Sequence, residues 1–390
     1  MSDSFLMIGV MSGTSADGID IAITRITADG RPALEHYREH PMPEKLREPI
    51  LRLAEPGMDE IDLLGELDRA LGETIATAIL TTIKDAGLGR EDILAIGSHG
   101  QTVRHRPGVR HPFSLQIGCP STIAECTGIT TVADFRRRDI AAGGQGAPLT
   151  PFAHKLIFSD PQQPVAVLNI GGIANVTYIG PDDVLTGFDT GPGNMVMDGL
   201  MLALTDGRNG FDQDGEMAAR GQVCQPLLDN LLAHPFFGKR PPKSCGREEF
   251  GRDIVNTMLA RPGLTDSDRL RTALELTVQG ITQSVQWMSE SPKLWHVYGG
   301  GAFNRFLMSR LAEMLSPDEI KLTDESGMPA DALEAVTFAL LAWHTLQGMP
   351  NTLTETTGAT HPVCGGHIVP GKNWPQLLQG IPTWTRSLTP

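Results

Sequence analysis

The chain has 390 residues, with 32 basic against 46 acidic side chains and a formal charge of −14. This length exceeds what one hydrophobic core normally supports, so we expect two domains. The negative balance argues against a nucleic-acid partner, because a polyanion is attracted by clustered Lys and Arg. No segment approaches the roughly 18 consecutive apolar residues of a membrane helix. The five cysteines have no Cys-x-x-Cys spacing, which indicates reduced thiols. We therefore expect a cytoplasmic protein that acts on small molecules, with neither nucleic acid nor membrane as partner.

The first predicted element is a hairpin over residues 5–27. An apolar run leads into the loop 12–18 and is followed by the alternating residues Ile19, Ile21 and Ile23, a pattern typical of strand, loop and strand. The loop contains two glycines, two serines, one threonine and one aspartate. Their backbone N–H groups and hydroxyls can surround an anion. The loop has neither the lysine nor the following helix of a Gly-x-x-x-x-Gly-Lys-Ser/Thr phosphate loop, and an ordinary hairpin turn is the alternative.

The next elements are an amphipathic helix over 61–84 and a short strand over 93–97. Polar residues just past a strand's carboxyl end are where open α/β sheets bind ligands. His99 and Gln101 follow this strand and are candidates for substrate contact. The alternative for His99 is a loop histidine with only a structural role.

Brief strands over 114–118 and 130–134 flank a helix over 121–126. Arg136 is the first of three consecutive arginines after the second strand, and we take it as an anion ligand; a solvated charge run is the alternative. The glycine-rich segment 141–148 indicates close backbone approach or a hinge.

A second strand–loop–strand unit covers 164–179, with a small-residue loop at 171–175. Two such units suggest related lobes that face each other across a nucleotide. A strand then ends at Asp189, and Asn194 is predicted to cap a helix over 195–204. Asp189 either faces bound phosphates or serves as a helix cap.

The last third contains a long helix over 268–288, a strand over 294–298 and a helix over 305–315. Three glycines at 299–301 join that strand to its helix and leave room for a planar group such as adenine. Glu334 opens an apolar helix over 335–346, where it either supports the helix dipole or reaches a cleft. The proline-rich segment 235–252 gives no specific chemical interpretation.

Six short motifs carry a resemblance to the anhydro-N-acetylmuramic acid kinase family, within the superfamily of sugar kinases, heat-shock ATPases and actin. They are Met-Ser-Gly-Thr-Ser-Ala-Asp-Gly-Ile-Asp at 11–20, Ser-His-Gly-Gln-Thr at 98–102, Val-Ala-Asp-Phe-Arg at 132–136 with Gly-Gly-Gln-Gly-Ala-Pro at 143–148, Asn-Ile-Gly-Gly-Ile-Ala-Asn at 169–175, Phe-Asp-Thr-Gly-Pro-Gly-Asn at 188–194 and Tyr-Gly-Gly-Gly-Ala-Phe-Asn at 298–304. Each is weak alone, but the six in series are specific.

The resemblance implies an α/β protein with a two-lobed actin-like ATPase fold, each lobe a mixed five-stranded sheet flanked by helices. We expect an N-terminal lobe of 1–133 plus 350–390 and a C-terminal lobe of 134–349, closing on hinges near 143–146 and 350. The implied reaction uses ATP and Mg²⁺ to open the 1,6-anhydro ring by water and phosphorylate oxygen 6 of this amino sugar, in the recycling of peptidoglycan. A homodimer is also expected.

The same resemblance implies roles for individual residues. Asp189 is expected to be the catalytic base. The residues expected to bind the nucleotide are Ser12, Gly13, Thr14, Ser15, Ala16, Asp17, Gly18, Ile19, Asp20, Asn169, Gly171, Gly172, Asn175, Gly191, Gly193, Asn194, Gly299, Gly300, Gly301 and Asn304. The residues expected to contact the sugar are His99, Gln101, Gln116, Arg136 and Glu334. Superfamily members usually end the first strand in a metal-binding aspartate, whereas Met11 and Ser12 stand there; Asp17 and Asp20 are the alternatives.

Two other functions compete with this one. A kinase of the same fold could phosphorylate a free hydroxyl of another sugar or a carboxylate, without activating water. An ATP-driven clamp would need a partner surface, whereas the special residues of this sequence lie in polar loops at strand ends.

Overall fold

The computed structural model describes residues 4–28, 30–58, 60–181, 184–315 and 319–384. The chain forms two compact units. Unit 1 is Met1–Ile157 with Gly327–Pro390, and unit 2 is Phe158–Ser326.

The regular elements follow one another in chain order through unit 1, unit 2 and the return to unit 1. The first group is β1 (Ser4–Ser12), β2 (Gly18–Thr27), β3 (Pro32–Pro41), α1 (Glu44–Ala54), α2 (Glu60–Asp85), β4 (Ile93–Arg106), β5 (Phe113–Ile117), α3 (Pro120–Thr127), β6 (Thr131–Ala133), α4 (Arg137–Ala141) and α5 (Thr150–Phe158). The second group is β7 (Val165–Ile170), β8 (Ile173–Ile179), β9 (Leu185–Pro192), α6 (Met195–Leu204), α7 (Glu216–Arg220), α8 (Gln225–Leu232), α9 (Pro235–Gly238), α10 (Arg247–Phe250), α11 (Arg252–Ala260), α12 (Asp266–Ser284), β10 (Leu294–Tyr298), α13 (Arg305–Leu315) and β11 (Glu319–Leu322). The third group is α14 (Leu333–Leu346), α15 (Thr354–Thr357), β12 (His367–Val369) and α16 (Trp374–Trp384).

The two sheets share one topology. The sheet of unit 1 runs β12-β6-β4-β1-β2-β3, with β5 paired to β4, and the sheet of unit 2 runs β11-β10-β7-β8-β9. In each, the first three strands form an antiparallel meander, and two further strands add in parallel beside the first. Unit 1 extends this shared five-stranded pattern with β5 and β12. The predicted fold class is confirmed, and the repeated topology agrees with two related units.

A buried helix lies directly on the sheet of unit 1. Helix α14 is apolar and almost wholly buried, and it packs on β1 and β4. Glycines at the contact allow this close approach. A Cβ added to Gly9 would overlap the carbonyl oxygen of Ala335, and one added to Gly97 would overlap that of Phe338.

The packing of α14 also corrects the predicted lobe boundaries. Because α14 covers the sheet of unit 1, residues 327–349 belong to unit 1, as do residues 134–157. The chain therefore passes between the units at 157/158 and 326/327. Both predicted hinges, 143–146 and 350, lie inside unit 1.

The glycine-rich segment is held around a buried carboxylate. Asp139 is fully buried; its Oδ2 accepts the N–H of Gly146 at 2.7 Å, and its Oδ1 accepts the hydroxyl of Thr357 at 2.7 Å. A side chain at Gly144 would overlap Asp139 Oδ2. Gly144 therefore serves packing around Asp139, whereas Gly143 and Gly146 adopt φ values of +87° and +71° that favour glycine.

Two strands run further than the sequence predicts. Strand β4 continues through His99 to Arg106, because Gly100 adopts a φ of +68° and Gln101 then pairs with Ile117 of β5. Strand β9 continues past Asp189 to Pro192. His99, Gln101 and Asp189 therefore lie within strands and do not follow them. None of the described helices is long and apolar enough to cross a membrane.

The contact between α14 and β4 predicts a steep cost for a side chain at Gly97. Gly97→Val should lower the free energy of unfolding by about 1–3 kcal/mol or more, because the helix backbone must move away. Gly108→Val is the matched control, since no atom lies within 4 Å of a Cβ added there. Urea denaturation measures both, and equal losses would contradict the packing argument.

Candidate active site

The β1–β2 loop has exposed polar side chains, while the residues that join it to the two strands are buried. Ala16 N–H donates to Gly13 O at 3.0 Å, which folds the loop into a turn, and Thr14, Ser15 and Asp17 are exposed. A Cβ added to Gly13 would meet only Ser15 Oγ, at 3.8 Å. The space beside Gly13 is therefore open to a ligand. The side chains of Ala16 and Ile19 are fully buried, so only their backbone groups are available.

Ser12 joins this loop to β4. Its buried hydroxyl lies 2.9 Å from Gly18 O and 2.7 Å from Gln101 Oε1, and its single proton serves one of these acceptors at a time. The Gln101 side chain thus supports the base of the loop in this structure.

Asp20 carries a strongly perturbed carboxyl. It accepts the Tyr37 hydroxyl at 2.6 Å. Burial raises its pKa to about 6, and the nearby carboxylates of Glu39, Glu334 and Asp331 act in the same direction. Among the described residues, no group of three His, Cys, Asp or Glu side chains is placed to hold a metal. Asp17 and Asp20 therefore remain the two alternatives for a Mg²⁺ ligand that the sequence predicts.

Three predicted sugar contacts form one electrostatic cluster. Arg136 donates to His99 Nε2 from Nε at 3.1 Å and from Nη2 at 2.8 Å, and His99 Nδ1 lies 3.0 Å from Gly100 O. This geometry requires a neutral ring with its proton on Nδ1. Burial and the Arg136 charge hold the pKa of His99 well below its usual value. Burial raises the pKa of Glu334, while Arg136 opposes that shift.

The fifth predicted sugar contact, Gln116, lines one cavity of unit 1 together with His99. Gln116 is on β5, and its Nε2 donates to Thr102 Oγ1 at 3.0 Å and to Ser114 Oγ at 2.8 Å.

In unit 2, the turn of the β7–β8 hairpin receives the start of α6. The Gly172 carbonyl accepts the N–H of Gly193 at 2.9 Å, and the Gly171 carbonyl accepts that of Asn194 at 2.8 Å. These two amides are therefore engaged with the hairpin. Asn194 stands at the predicted cap position of α6 but makes no side-chain capping bond; its Nδ2 donates instead to Ile170 O at 3.2 Å.

The three glycines after β10 differ in their surroundings. A Cβ would overlap Asn169 at Gly299 and Ile170 at Gly301, whereas at Gly300 it would meet only Asn194 Nδ2, at 3.6 Å. Packing against β7 thus explains two of the glycines, and only Gly300 has space for a ligand. Asn304 Oδ1 accepts Leu307 N–H at 3.0 Å, so this side chain caps α13.

Asp189 lies on β9 opposite Asn175, within the sheet. Its N–H donates to Lys243 O at 3.1 Å, and its Oδ2 accepts Cys245 N–H at 2.9 Å. It caps no helix. Its Oδ1 has no hydrogen-bond partner among the described residues. Burial raises the pKa of Asp189 to about 6, assisted by Glu249 and opposed by the Cys245 hydrogen bond and by Lys243.

Sequence reasoning missed Lys243 and Cys245. Both touch Asp189 through backbone atoms, so no side-chain pattern marks the contact. The Lys243 ammonium lies 4.5 Å from the centroid of the Phe236 ring.

The family model described as anhydro-N-acetylmuramic acid kinase matches residues 5–371. The chain belongs to the anhydro-N-acetylmuramic acid kinase family. It is therefore a phosphotransferase. The anhydro-N-acetylmuramic acid kinase of Shewanella pealeana is 42% identical over 365 residues, covering 93% of this chain and 98% of that protein. The enzyme of the same name from Vibrio parahaemolyticus is 44% identical over 357 residues, covering 91% and 95%.

A distant likeness to solved structures accompanies the family match. A glucokinase from Streptomyces griseus in complex with glucose and AMPPNP aligns at a TM-score of 0.38 and 14% identity, covering 86% of this chain and 98% of that one.

The open space at Gly13 predicts a selective effect on nucleotide binding. Gly13→Val meets little of the protein itself, so the fold should persist. The KM for ATP should rise about 10-fold or more, equivalent to about 1.4 kcal/mol, because the valine occupies the space expected for phosphate. Steady-state kinetics measure this, with Gly108→Val as control. An unchanged KM would remove the β1–β2 loop from the nucleotide site.

Proposed function

We propose that this chain phosphorylates 1,6-anhydro-N-acetylmuramic acid with ATP and opens its anhydro ring in the same reaction. The products are N-acetylmuramate 6-phosphate and ADP. The names of the relatives support the substrate. One observation carries the mechanism: Asp189 is a largely buried carboxyl with a pKa near 6, held through Oδ2 by Cys245 N–H, while Oδ1 has no hydrogen-bond partner among the described residues.

The reaction balances with Asp189 as base. A water oxygen bonds to C1 of the sugar while the C1–O6 bond breaks. Oxygen 6 then bonds to the γ-phosphorus of ATP as the bond to the β-phosphate oxygen breaks. The proton lost by the water passes to Asp189 Oδ1, the oxygen that is free of Cys245. General-base catalysis contributes about 10²–10⁴ in rate, or roughly 3–5 kcal/mol of the barrier.

The negative charge of the phosphates would be stabilised by hydrogen-bond donors that the protein holds in fixed positions. Phosphoryl transfer depends mainly on positioning and electrostatic stabilisation. The open backbone at Gly13 and the exposed hydroxyls of Thr14 and Ser15 are suited to phosphate oxygens. Bound Mg²⁺ would neutralise phosphate charge, with Asp17 or Asp20 as its protein ligand. In unit 2, the Gly171–Gly172 turn and Gly300 are the proposed nucleotide contacts with open space.

Glu334 is the proposed sugar contact on α14. Its carboxyl has no hydrogen-bond partner among the described residues, and it is half-buried. A sugar hydroxyl can donate to it.

We further propose that the enzyme works as a cytoplasmic homodimer.

Isotope labelling tests the reaction directly. Turnover in ¹⁸O-labelled water should place one labelled oxygen at C1 of the phosphorylated product, because the ring is opened by water. A kinase that phosphorylates a free hydroxyl would give unlabelled product, as read by mass spectrometry.

Replacing the proposed base predicts a loss of turnover without a loss of fold. Asp189→Asn keeps an oxygen that can accept Cys245 N–H, but it loses the base. Turnover should fall roughly 100-fold or more while ATP and sugar still bind and the Tm changes little. Asp268→Asn is the control for turnover: Asp268 accepts the N–H of Gln222 on one oxygen and that of Thr265 on the other, and the amide keeps one of these bonds, so its Tm should fall while its turnover stays near normal. Near-normal turnover of Asp189→Asn would exclude Asp189 from the mechanism.

The raised pKa of Asp189 predicts the pH dependence. The active form is the carboxylate, which is lost as the pH falls through about 6, so turnover should fall roughly 10-fold per pH unit below that value and level off above it. Asp20 has a similar pKa; Asp20→Asn should therefore retain this acidic limb, whereas the residual rate of Asp189→Asn should lack it. A limb that follows Asp20 would contradict the assignment.

A further inference from the structure

A short segment lies against β9, the edge strand of the sheet of unit 2. Residues 239–246, here called the strap, join α9 to α10. The strap makes two backbone hydrogen bonds with Asp189. The Lys243 carbonyl accepts Asp189 N–H at 3.1 Å, and Cys245 N–H donates to Asp189 Oδ2 at 2.9 Å. The position of the carboxylate therefore depends on where the strap lies.

Aromatic packing holds both ends of the strap. Phe236 in α9 and Phe250 in α10 are fully buried, and their ring centroids lie 5.4 Å apart in an edge-to-face contact, a favoured geometry for aromatic rings. The ring of Phe237 lies 5.5 Å from that of Phe250, and a Cβ added to Gly191 on β9 would overlap it. The two ends of the strap are thus fixed beside the strand that carries Asp189.

Lys243 fixes the middle of the strap through its side chain. Its Nζ lies 4.5 Å from the centroid of the Phe236 ring and donates to Phe236 O at 3.4 Å. The same Nζ lies 5.8 Å from the ring centroid of Phe188, the residue before Asp189. An ammonium over an aromatic face is attracted by the quadrupole of the ring. The lysine is therefore held on protein groups and is only partly exposed.

Lys243 is also the cation that acts on Asp189. The facing residue on β8 is the uncharged Asn175. Burial raises the pKa of the Cys245 thiol, which keeps that group neutral. Glu249 of α10 raises the pKa of Asp189, whereas the Lys243 charge lowers it. Among the described residues, Lys243 thus supplies the only positive charge that shifts this carboxyl.

The ammonium acts on Asp189 without forming an ion pair with it. Within the described part of the chain, Nζ makes no salt bridge. A direct ion pair would make the carboxylate a much weaker base. At its observed place the ammonium favours the ionised form and leaves Asp189 Oδ1 able to accept a proton.

We propose that Lys243 is a positioning residue for the Asp189 base, because its ammonium holds the strap against β9 and favours the ionised carboxylate. The inference rests on the proposed function. Lys243 keeps its own proton throughout the reaction, and the proton lost by the attacking water passes to Asp189 Oδ1.

Removing the ammonium is the first test. Lys243→Met keeps most of the apolar stem and the backbone carbonyl that accepts Asp189 N–H, so the fold should persist. The pKa of Asp189 should rise because its cation is lost. The acidic limb of turnover should therefore move upward by about half a pH unit or more, and turnover at about pH 5 should fall about 3-fold or more.

Two variants control for the charge and for the segment. Lys243→Arg keeps a cation that can stack on the Phe236 ring, so its acidic limb should stay near that of the wild type. Lys239→Met removes a cation of the same strap that does not shift Asp189, so its limb should not move. A purely structural lysine would change the Tm of Lys243→Met and leave the limb in place. Should Lys243→Met fold poorly, Lys243→Gln keeps a donor for Phe236 O and gives the same comparison.

A second measurement follows the carboxyl without turnover. Carbon NMR of the aspartate carboxyls, with Asp189 assigned by the signal lost in Asp189→Asn, should show the same upward shift of its titration in Lys243→Met. Hydrogen exchange of the Cys245 N–H should also become faster, because the strap opens more readily without its central contact.

The outcomes separate the inference from the proposed function. An unshifted Asp189 titration in Lys243→Met, or an equal shift in Lys239→Met, would overturn the role of Lys243 alone. Near-normal turnover of Asp189→Asn would overturn the proposed base and the role of Lys243 together.

Discussion

Backbone contact at glycine is the constraint on which the functional loops of each unit depend. In unit 1, Gly9 and Gly97 let α14 lie directly on β1 and β4, and this contact places Glu334 beside the end of the sheet. In unit 2, a Cβ at Gly193 would overlap the Gly171 carbonyl, so the start of α6 can only close on the hairpin turn through a glycine. The sheet that carries the β1–β2 loop and the turn of the β7–β8 hairpin are thereby fixed by contacts that leave no room for a side chain. Rigid support of this kind is what a site requires when catalysis depends on positioning.

Opposing electrostatic effects determine the pKa of the Asp189 carboxyl. The Cys245 N–H and the Lys243 charge favour the carboxylate, whereas burial and Glu249 disfavour it. Burial has the largest effect, so the pKa of Asp189 is about 6, above the value of an ordinary aspartate. A base with this pKa is ionised at neutral pH yet binds a proton more strongly than an exposed aspartate does, which favours proton transfer from water. The same hydrogen bond that anchors residues 243–245 also orients the carboxylate.

The local sequence pattern was sufficient to predict which helices and strands form, but it was not sufficient to predict where some of them end. The hairpins, α2, α6 and α13 follow from apolar periodicity, and structure gives them nearly the predicted bounds. The ends of β4 and β9 were missed because Gly100 lets β4 change partner and because the pairing of β9 with β8 outlasts its apolar run. The unit boundaries were missed because α14 belongs to the unit whose sheet it packs against, and the sequence of the helix does not show which sheet that is. Such information lies in tertiary contacts and not in the segment itself.

The arginine run at 136–138 shows why residue type alone cannot assign a role. Arg136 precedes α4 and turns inward, where burial lowers the pKa of its guanidinium to about 10 while Glu334 and Asp139 oppose that shift. Arg137 and Arg138 occupy the first turn of α4, where successive side chains point about 100° apart. One therefore meets Asp134 and the other the Cys364 carbonyl. Three identical side chains thus have three environments. The inward one is held by a neutral histidine, whose single lone pair on Nε2 can accept from a cation only while the ring stays unprotonated.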